Sequence, residues 1–476
     1  MKLSAFILLL CALCTSLHAA KPHIVLVMAD DMGWGQTSYN NHPLLKTPNL
    51  DAMAANGLRF DRFYAASAVC SPTRAAVFTG RSPQRTGVPS HGHALRHQEK
   101  TLPAALKKAG YATGHFGKWH LNGIRGPGVP VLASDKYHPG VFGFEEWLTV
   151  TNFFDMNPVM SRKGEFEEFE GDSSEIIVDE ALEFISEQVK AGKPTFSVIW
   201  YGTPHVPFMA MEKDRKGFEH LETQSMDHYA ELVAMDRSIG TLRQGLKDMG
   251  IANDTLFWFT SDNGGLPKIE PETVGGLRGN KGNLYEGGIR VPTIIEYPAA
   301  IEPRITSFPA SAMDIFPTIA ELVGLSEDSM LDLVDGKSIE PLFKKELGKR
   351  EKPIPFRYNR TGALVDNNLK LYVPKEGIEK AEAYDLSKDP TESNDITESR
   401  PKVAERLRKL YMAYSDSVDA SIEGKDYPEG KVVPADVEPR FWTDMKEYEP
   451  YFDQWKLRPE YESRFKPKSK SRSAKK

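Results

Sequence analysis

Cys70 opens the run Cys70-Ser71-Pro72-Thr73-Arg74, which continues as Ala75-Ala76-Val77-Phe78-Thr79-Gly80-Arg81. Pro72 in a first turn and Gly80 near the far end are helix-boundary residues, so the run predicts a helix with Cys70 at its N-terminus. Such an end carries partial positive charge and unpaired N–H groups, which favour a negative charge or a bound anion. Arg74 lies four residues on and shares the helical face of Cys70. An anion at Cys70 would meet both the helix end and the guanidinium.

Asp30-Asp31 and Asp262-Asn263, the latter before Gly264-Gly265, offer three carboxylates and one amide oxygen. These are hard oxygen donors, suited to Ca²⁺ or Mg²⁺ and not to a soft metal. Adjacent aspartates on a regular strand point to opposite faces, so both reach one ion only if the chain turns there. Gly33 and Gly35 are candidates to permit the turn. Lys118 and His120 follow Gly117; in extended chain they project from one strand face toward one pocket. His205 sits in Thr203-Pro204-His205-Val206-Pro207, and Lys281 in Leu277-Arg278-Gly279-Asn280-Lys281-Gly282. Taken singly, each has a commoner use: Asp-Asp as a turn, Lys118 on the surface, His120 as a satisfied structural histidine.

The elements that must position these residues are visible. His23 to Ala29 is a continuous apolar run and reads as a buried parallel strand ending at Asp30. Thr47-Pro48 opens a helix. Thr195 to Trp200 and Thr255 to Thr260 read as further buried strands, preceded by amphipathic helices at Glu175 to Val189 and Ser225 to Met249. Strands alternating with helices define an α/β fold with a large, mainly parallel sheet flanked by helices. Sites in such sheets form beyond the carboxyl ends of the strands, where Asp30, Asp31, His205 and Asp262 fall. After about residue 345 the pattern changes: Lys349 to Lys352 is a charged link, Leu369 to Val373 a strand, and Val403 to Tyr414 a helix. The expected organisation is a catalytic domain at 21–345, a smaller α+β subdomain at 346–415, and an extended segment with a basic Lys/Ser-rich tail at 416–476.

The chain has 476 residues, 40% hydrophobic and 26% charged, and a net charge of −6, which gives no general attraction to nucleic acid. Lys2, the apolar run Ala5 to Leu13 and the small residues Ala19 and Ala20 read as a signal peptide over 1–20. No later run is long and apolar enough to span a bilayer. Export to the periplasm or the medium follows, with lipid attachment at Cys11 or Cys14 the lesser alternative. Of the three cysteines, only Cys70 then survives cleavage, so no internal disulfide can form. A lone cysteine in an exported chain is an inert buried thiol, a reactive one, or a modified residue.

Cys70 to Arg81 resembles the signature of the type I sulfatases, C-x-P-x-R with a trailing T-G-R. Gly110-Tyr111-Ala112-Thr113 with Gly117-Lys118-Trp119-His120 resembles their second motif, with Phe116 where a smaller residue is usual. The segments around Asp30, His205, Asp262 and Lys281 also match, so the resemblance runs from about residue 22 to 390. It implies an alkaline-phosphatase-like fold and conversion of Cys70 to formylglycine by a separate maturation enzyme. It also implies one divalent cation, Ca²⁺ in preference to Mg²⁺, held by Asp30, Asp31, Asp262, Asn263 and the modified Cys70.

In that scheme the hydrated aldehyde is the nucleophile, and Arg74 and Lys118 stabilise the transferring group. His205 or Lys281 protonates the leaving alcohol, and His120 deprotonates the second hydroxyl to expel sulfate. Plain cysteine or serine lacks that second hydroxyl. The expected substrate is a sulfate monoester, with sulfated carbohydrate preferred because the protein is exported. Two other readings stay open: a phosphonate or phosphodiester hydrolase of the same superfamily, and a non-catalytic binder of sulfated glycans if Cys70 is unmodified. His91, His93 and His97 are either subsite residues or exposed loop histidines. Glu286 and Arg290 read as a structural ion pair and Asp314 as a cap.

Overall fold

The structure is a computed structural model and describes residues 21–465. The expected leader at 1–20 and the end of the basic tail at 466–476 lie outside the described residues. In chain order the strands of the first part are β1 (His23–Ala29), β2 (Leu58–Tyr64), β3 (Ala112–Lys118), the two-residue β4 (Ile124–Arg125), β5 (Glu146–Val150), β6 (Val159–Arg162), β7 (Glu165–Glu168), β8 (Thr195–Trp200), β9 (Thr255–Ser261), β10 (Arg290–Glu296), β11 (Arg304–Thr306) and the short β12 (Ala310–Ser311).

All but β4 join one sheet in the order β11-β2-β10-β9-β1-β8-β3-β5-β6-β7, with β12 also on β2. The five central strands, β9, β1, β8, β3 and β5, are mutually parallel. Antiparallel pairs flank them on both sides, β10 with β9 and β2, and β6 with β5 and β7. Leu26 stands opposite both Val198 and Trp258, so β1 is at the centre.

The apolar run of β1 is continuous because both faces of the sheet are covered. Ile24, Leu26 and Met28 belong to one core layer with Ala75, Val77 and Phe78 of helix Cys70–Thr79. Val25, Val27 and Ala29 belong to the opposite layer with Ile177 and Val178 of helix Ser173–Lys190 and Leu232 and Met235 of helix Thr223–Asp248. The period of two in a strand sends alternate side chains to these two layers. Both long helices match the amphipathic patterns within two residues at each end. Every residue of helix Cys70–Thr79 is buried, and Gly80 closes it in the left-handed region at φ 68°.

The smaller C-terminal unit is a four-stranded antiparallel sheet of β13 (Ile354–Tyr358), β14 (Thr361–Asp366), β15 (Leu369–Val373) and β16 (Glu382–Asp385). Helix Pro401–Ile422 lies across it, with Ala404, Leu407 and Tyr411 against Leu364, Leu371 and Ala383. This helix runs two turns beyond Tyr414, where the apolar periodicity stops. Its extension is held by polar contacts to the larger part: Arg85 donates to the Ser417 carbonyl at 2.9 Å and to Ser421 Oγ at 2.7 Å.

The charged link Lys349 to Lys352 is pinned. Arg350, 3% exposed, donates both guanidinium nitrogens to Asp314 at 2.7 Å each. Asp314 also completes a capping box with Ser311, as its position ahead of Phe316-Pro317 implied. Beyond it, β17 (Arg440–Phe441) pairs with β4, and Trp442, Tyr448, Trp455 and Tyr461 pack with Ile124 and Val129 in a separate aromatic core. These four aromatics of the C-terminal segment are buried and cover the larger part.

Arg350→Ala would leave Asp314 buried with only backbone donors. Its stability in urea is expected to fall by about 3–5 kcal/mol, the usual cost of removing one partner of a buried ion pair. A loss below about 1 kcal/mol would contradict a buried, coupled pair.

Candidate active site

The ends of β1, β3, β8 and β9 converge on the N-terminus of helix Cys70–Thr79. Asp30 and Asp31 follow β1 directly, and the turn that brings both inward is at Asp31 itself, with φ 72°. This is a left-handed conformation that aspartate tolerates better than most residues. Gly33 and Gly35 serve a different purpose from the one expected. A side chain at Gly33 would collide with the Thr273 carbonyl, and one at Gly35 with the Gly275 backbone, so they allow two loops to pack backbone to backbone.

Asp262 follows β9, donates its amide to the Ala29 carbonyl at 3.1 Å, and accepts the Asp31 amide on Oδ1 at 3.1 Å. Asn263 donates its side-chain amide to Asp31 at 2.8 Å. The three carboxylates and Asn263 are completely buried. Each carboxylate has a cation. Lys118 reaches Asp30 at 2.6 Å, Lys281 reaches Asp31 at 2.6 Å, and Arg74 reaches Asp262 at 2.6 Å and Asp30 at 3.8 Å. Arg74 is fixed further by the face of Trp200, 4.9 Å away. Burial raises Asp262, and the neighbouring Asp30 charge adds to this against the pull of Arg74 and Lys118.

Two oxygens in this cluster are left over: Asp30 Oδ1 and Asn263 Oδ1 are buried without a hydrogen-bond partner. Ligand atoms of Asp30, Asp31, Cys70 and His205 also lie within 4.8 Å of one another. Orphaned hard oxygens beside gathered carboxylates fit a divalent cation, and the donor set is suited to Ca²⁺ or Mg²⁺. His205 enters this group although the sequence pointed only to oxygen donors and Cys70.

β3 ends at Lys118, so the alternation expected to carry His120 onto the same strand face does not hold. His120 has φ 55°, and the chain turns at it. Lys118 goes down to Asp30, whereas His120 lines a cavity of about 430 Å³ that opens over Cys70. Neither ring nitrogen of His120 has a partner. Burial first, then Lys118 and Arg74, push its pKa well below the usual value, so the ring is neutral with a free acceptor.

His205 and Lys281 line the same cavity. His205 stacks on Phe153 at 4.5 Å and points Nδ1 at the Val206 carbonyl, 2.6 Å away. Its pKa too is pushed well down, by burial and then by Lys281 and Lys118. For Lys281, burial favours the neutral form, but Asp31 with Cys70 and Asp30 outweighs it, and the ammonium is held above its ordinary range.

All the residues singled out for chemistry thus come together, in two layers. Cys70, His120, His205 and Lys281 face the cavity, and Arg74 and Lys118 sit beneath, bound to the carboxylates. His91 lines the cavity as well, whereas His97 lies outside it, exposed and stacked on Tyr137 at 4.4 Å. Glu286 and Arg290 are 3.8 Å apart, and Glu286 also binds the buried Lys370. Arg125, Phe153, Tyr358, Phe441 and Arg464 complete the cavity wall and were not foreseen. They lie far apart in sequence, in segments without a motif, and only the fold brings them together.

The fold and this site define a hydrolase of the alkaline-phosphatase-like class, and matches to known proteins narrow it. The sulfatase family model matches residues 22–325, and the model for the N-sulphoglucosamine sulphohydrolase C-terminal region matches 279–414. N-acetylgalactosamine-6-sulfatase of Mus musculus is 33% identical over 387 residues, covering 74% of this chain and 71% of its own. Arylsulfatase A of Homo sapiens is 30% identical over 486 residues, covering 87% and 92%. The solved structure of Ps i-CgsB in complex with k-i-k-neocarrahexaose superposes with TM-score 0.74 at 24% identity, over 94% of this chain and all of that one. The chain belongs to the sulfatase family and is a sulfuric ester hydrolase. No helix among the described residues is long and apolar enough to cross a membrane.

Cys70 as a plain thiol is pushed up to about 12, by burial first and by Asp30 and Asp262 against Lys118 and Lys281. At pH 8 the thiolate is then about a thousandfold scarcer than at an ordinary cysteine. Unmodified, metal-free protein is expected to react with iodoacetamide more slowly by at least that factor. Alkylation at the rate of free cysteine would contradict the geometry.

Proposed function

We propose that this chain hydrolyses sulfate monoesters of carbohydrates outside the cytoplasm, with formylglycine made from Cys70 as nucleophile and one divalent cation, Ca²⁺ in preference to Mg²⁺. The observation that carries the reading is the position of Cys70. It lies at the N-terminus of a wholly buried helix, at the floor of a cavity, beside three carboxylates and the orphaned oxygens of Asp30 and Asn263. A buried, protonated thiol is a poor nucleophile, and the Cys70–Arg81 motif favours a formylglycine in its place. Because residues 70–79 are all buried, a maturation enzyme must act before the chain folds. The carbohydrate sulfatase named among the relatives, together with the export expected from the sequence, favours a sulfated saccharide as substrate.

Asp30, Asp31, Asp262 and Asn263 would hold the cation with position 70. When bound, it supplies Lewis acidity and lowers the pKa of an attached hydroxyl. The charge balance supports this. Three buried carboxylates match the three cations Arg74, Lys118 and Lys281, so a divalent ion leaves two positive charges. One ionised nucleophile and the single charge of a sulfate monoester restore neutrality.

Arg74 and Lys118 hold the carboxylates in place and project positive charge toward the oxyanion. His120, neutral and unpartnered, takes a proton at a ring nitrogen. Lys281 carries its proton at neutral pH, whereas His205 does not, so Lys281 is assigned as proton donor to the leaving oxygen and His205 as its positioner against Phe153.

Matched sulfate and phosphate esters of one alcohol test the reaction. A higher kcat/KM for the sulfate, lost on chelation and regained with Ca²⁺, is expected; preference for the phosphate ester or a phosphonate would overturn the reading. Lys281→Ala is expected to lower kcat by about 10²–10⁴ for a sugar sulfate, the usual range for lost acid catalysis, and by much less for a nitrophenyl sulfate, whose leaving group needs no proton. Equal losses for the two would mean that Lys281 acts only by holding Asp31 and is not the proton donor.

A further inference from the structure

The cavity over Cys70 has more positive charge than one sulfate group requires. Arg125 and Arg464 both line it, on the side formed by β4 and the C-terminal segment. Arg125 is half-buried and Arg464 exposed, and among the described residues neither forms an ion pair with a carboxylate. Arg125 Nε is buried with no hydrogen-bond partner. Arg464 lies over the Phe441 ring at 4.4 Å, and burial alone pulls its pKa down with no carboxylate raising it. Leaving the buried Arg125 Nε unpaired costs free energy, and the exposed Arg464 guanidinium on the same wall has no carboxylate beside it, so the two together point to an anionic ligand.

Both side chains are held where they are. β4 pairs with β17 in parallel register, Arg125 opposite Phe441, and the Arg440 amide donates to the Gly123 carbonyl at 3.0 Å. Trp442 Nε1 donates to the Pro127 carbonyl, Tyr461 Oη to Gly128 and Tyr448 Oη to Pro130, at 3.0, 2.7 and 2.8 Å. Two glycines clear the space. The stem of Arg125 packs over Gly92, and any side chain at Gly126 would press on Trp442 and approach Arg464 Nε. Arg464 and Phe441 lie beyond residue 414, where the matched family models end.

We propose that Arg125 and Arg464 form a second anion subsite, so that the preferred substrate carries, besides the sulfate at Cys70, a further sulfate or carboxylate on the same or the neighbouring sugar. Phe441 and Tyr358 supply flat walls for the sugar faces. The inference rests on the carbohydrate sulfatase reading and deepens it. A bidentate guanidinium suits either oxyanion, and its partly apolar surroundings strengthen the attraction.

The test uses three oligosaccharides with the same reactive sulfate and either a neutral neighbour, a uronate or a second sulfate. Binding is measured by calorimetry on the full chain carrying Cys70→Ala, so that no turnover intervenes. At least one dianionic saccharide is expected to bind tenfold or more tightly than the monosulfated one. With Arg125→Ala or Arg464→Ala added, that ratio is expected to fall to within about twofold. The arm that shows the preference names the second anion. Because the ratio is taken within one protein, loss of folded material cancels. Equal affinities for all three saccharides, or a preference unchanged in both arginine variants, would overturn the subsite. Turnover of the monosulfated saccharide by the wild-type chain reports the sulfatase reading separately.

Discussion

Three carboxylates buried within one cluster set the terms for the rest of the molecule. Asp30, Asp31 and Asp262 have no contact with solvent, and like charges at such distances repel strongly in a medium less polar than water. Cations held against them offset that repulsion. Arg74, Lys118 and Lys281 provide this from a helix, a strand end and a loop that are remote from one another in sequence. The parallel sheet matters because it ends β1, β3, β8 and β9 on the same side. The buried helix matters because it carries Arg74 beneath the cluster and Cys70 above it. Orphaned oxygens at Asp30 and Asn263 mark where the cluster has capacity to spare.

Much of this was legible in the sequence because the relevant signals are local. A continuous apolar run must be covered on both faces, which fixed β1, β8 and β9 and the sheet type. Pro72 and Gly80 marked the two ends of the helix at Cys70. The short motifs named each chemical group, since each pairs a reactive side chain with the glycine or proline that shapes its turn.

Other features resisted because they depend on distant contacts. The alternation rule placed Lys118 and His120 together, but the strand stops at Lys118 and the left-handed turn at His120 separates them. Gly33 and Gly35 looked like turn residues because close approach of a second loop leaves no local mark. The end of helix Pro401–Ile422 was missed because its last turns are held by Arg85 through hydroxyl and carbonyl groups, without an apolar stripe. The sequence showed the stretch around Arg350 only as a charged link because its partner, Asp314, is 36 residues away. The aromatic C-terminal segment had no period because it wraps a surface instead of forming a long helix. Its contribution to the cavity wall is the least local feature of all.

The division into layers also separates stability from catalysis. Groups beneath the cavity are paired and hold charge in place, whereas His120, His205 and Lys281 meet the cavity and can exchange protons. Residue 70 and Lys281 bridge both layers, and the proposed mechanism assumes that residue 70 carries an aldehyde. Mass spectrometry of the tryptic peptide Phe63 to Arg74, from protein made in its native host, tests this directly. Formylglycine at position 70 is the result the account predicts. An unmodified cysteine there, in protein made with a competent maturation enzyme, would contradict it.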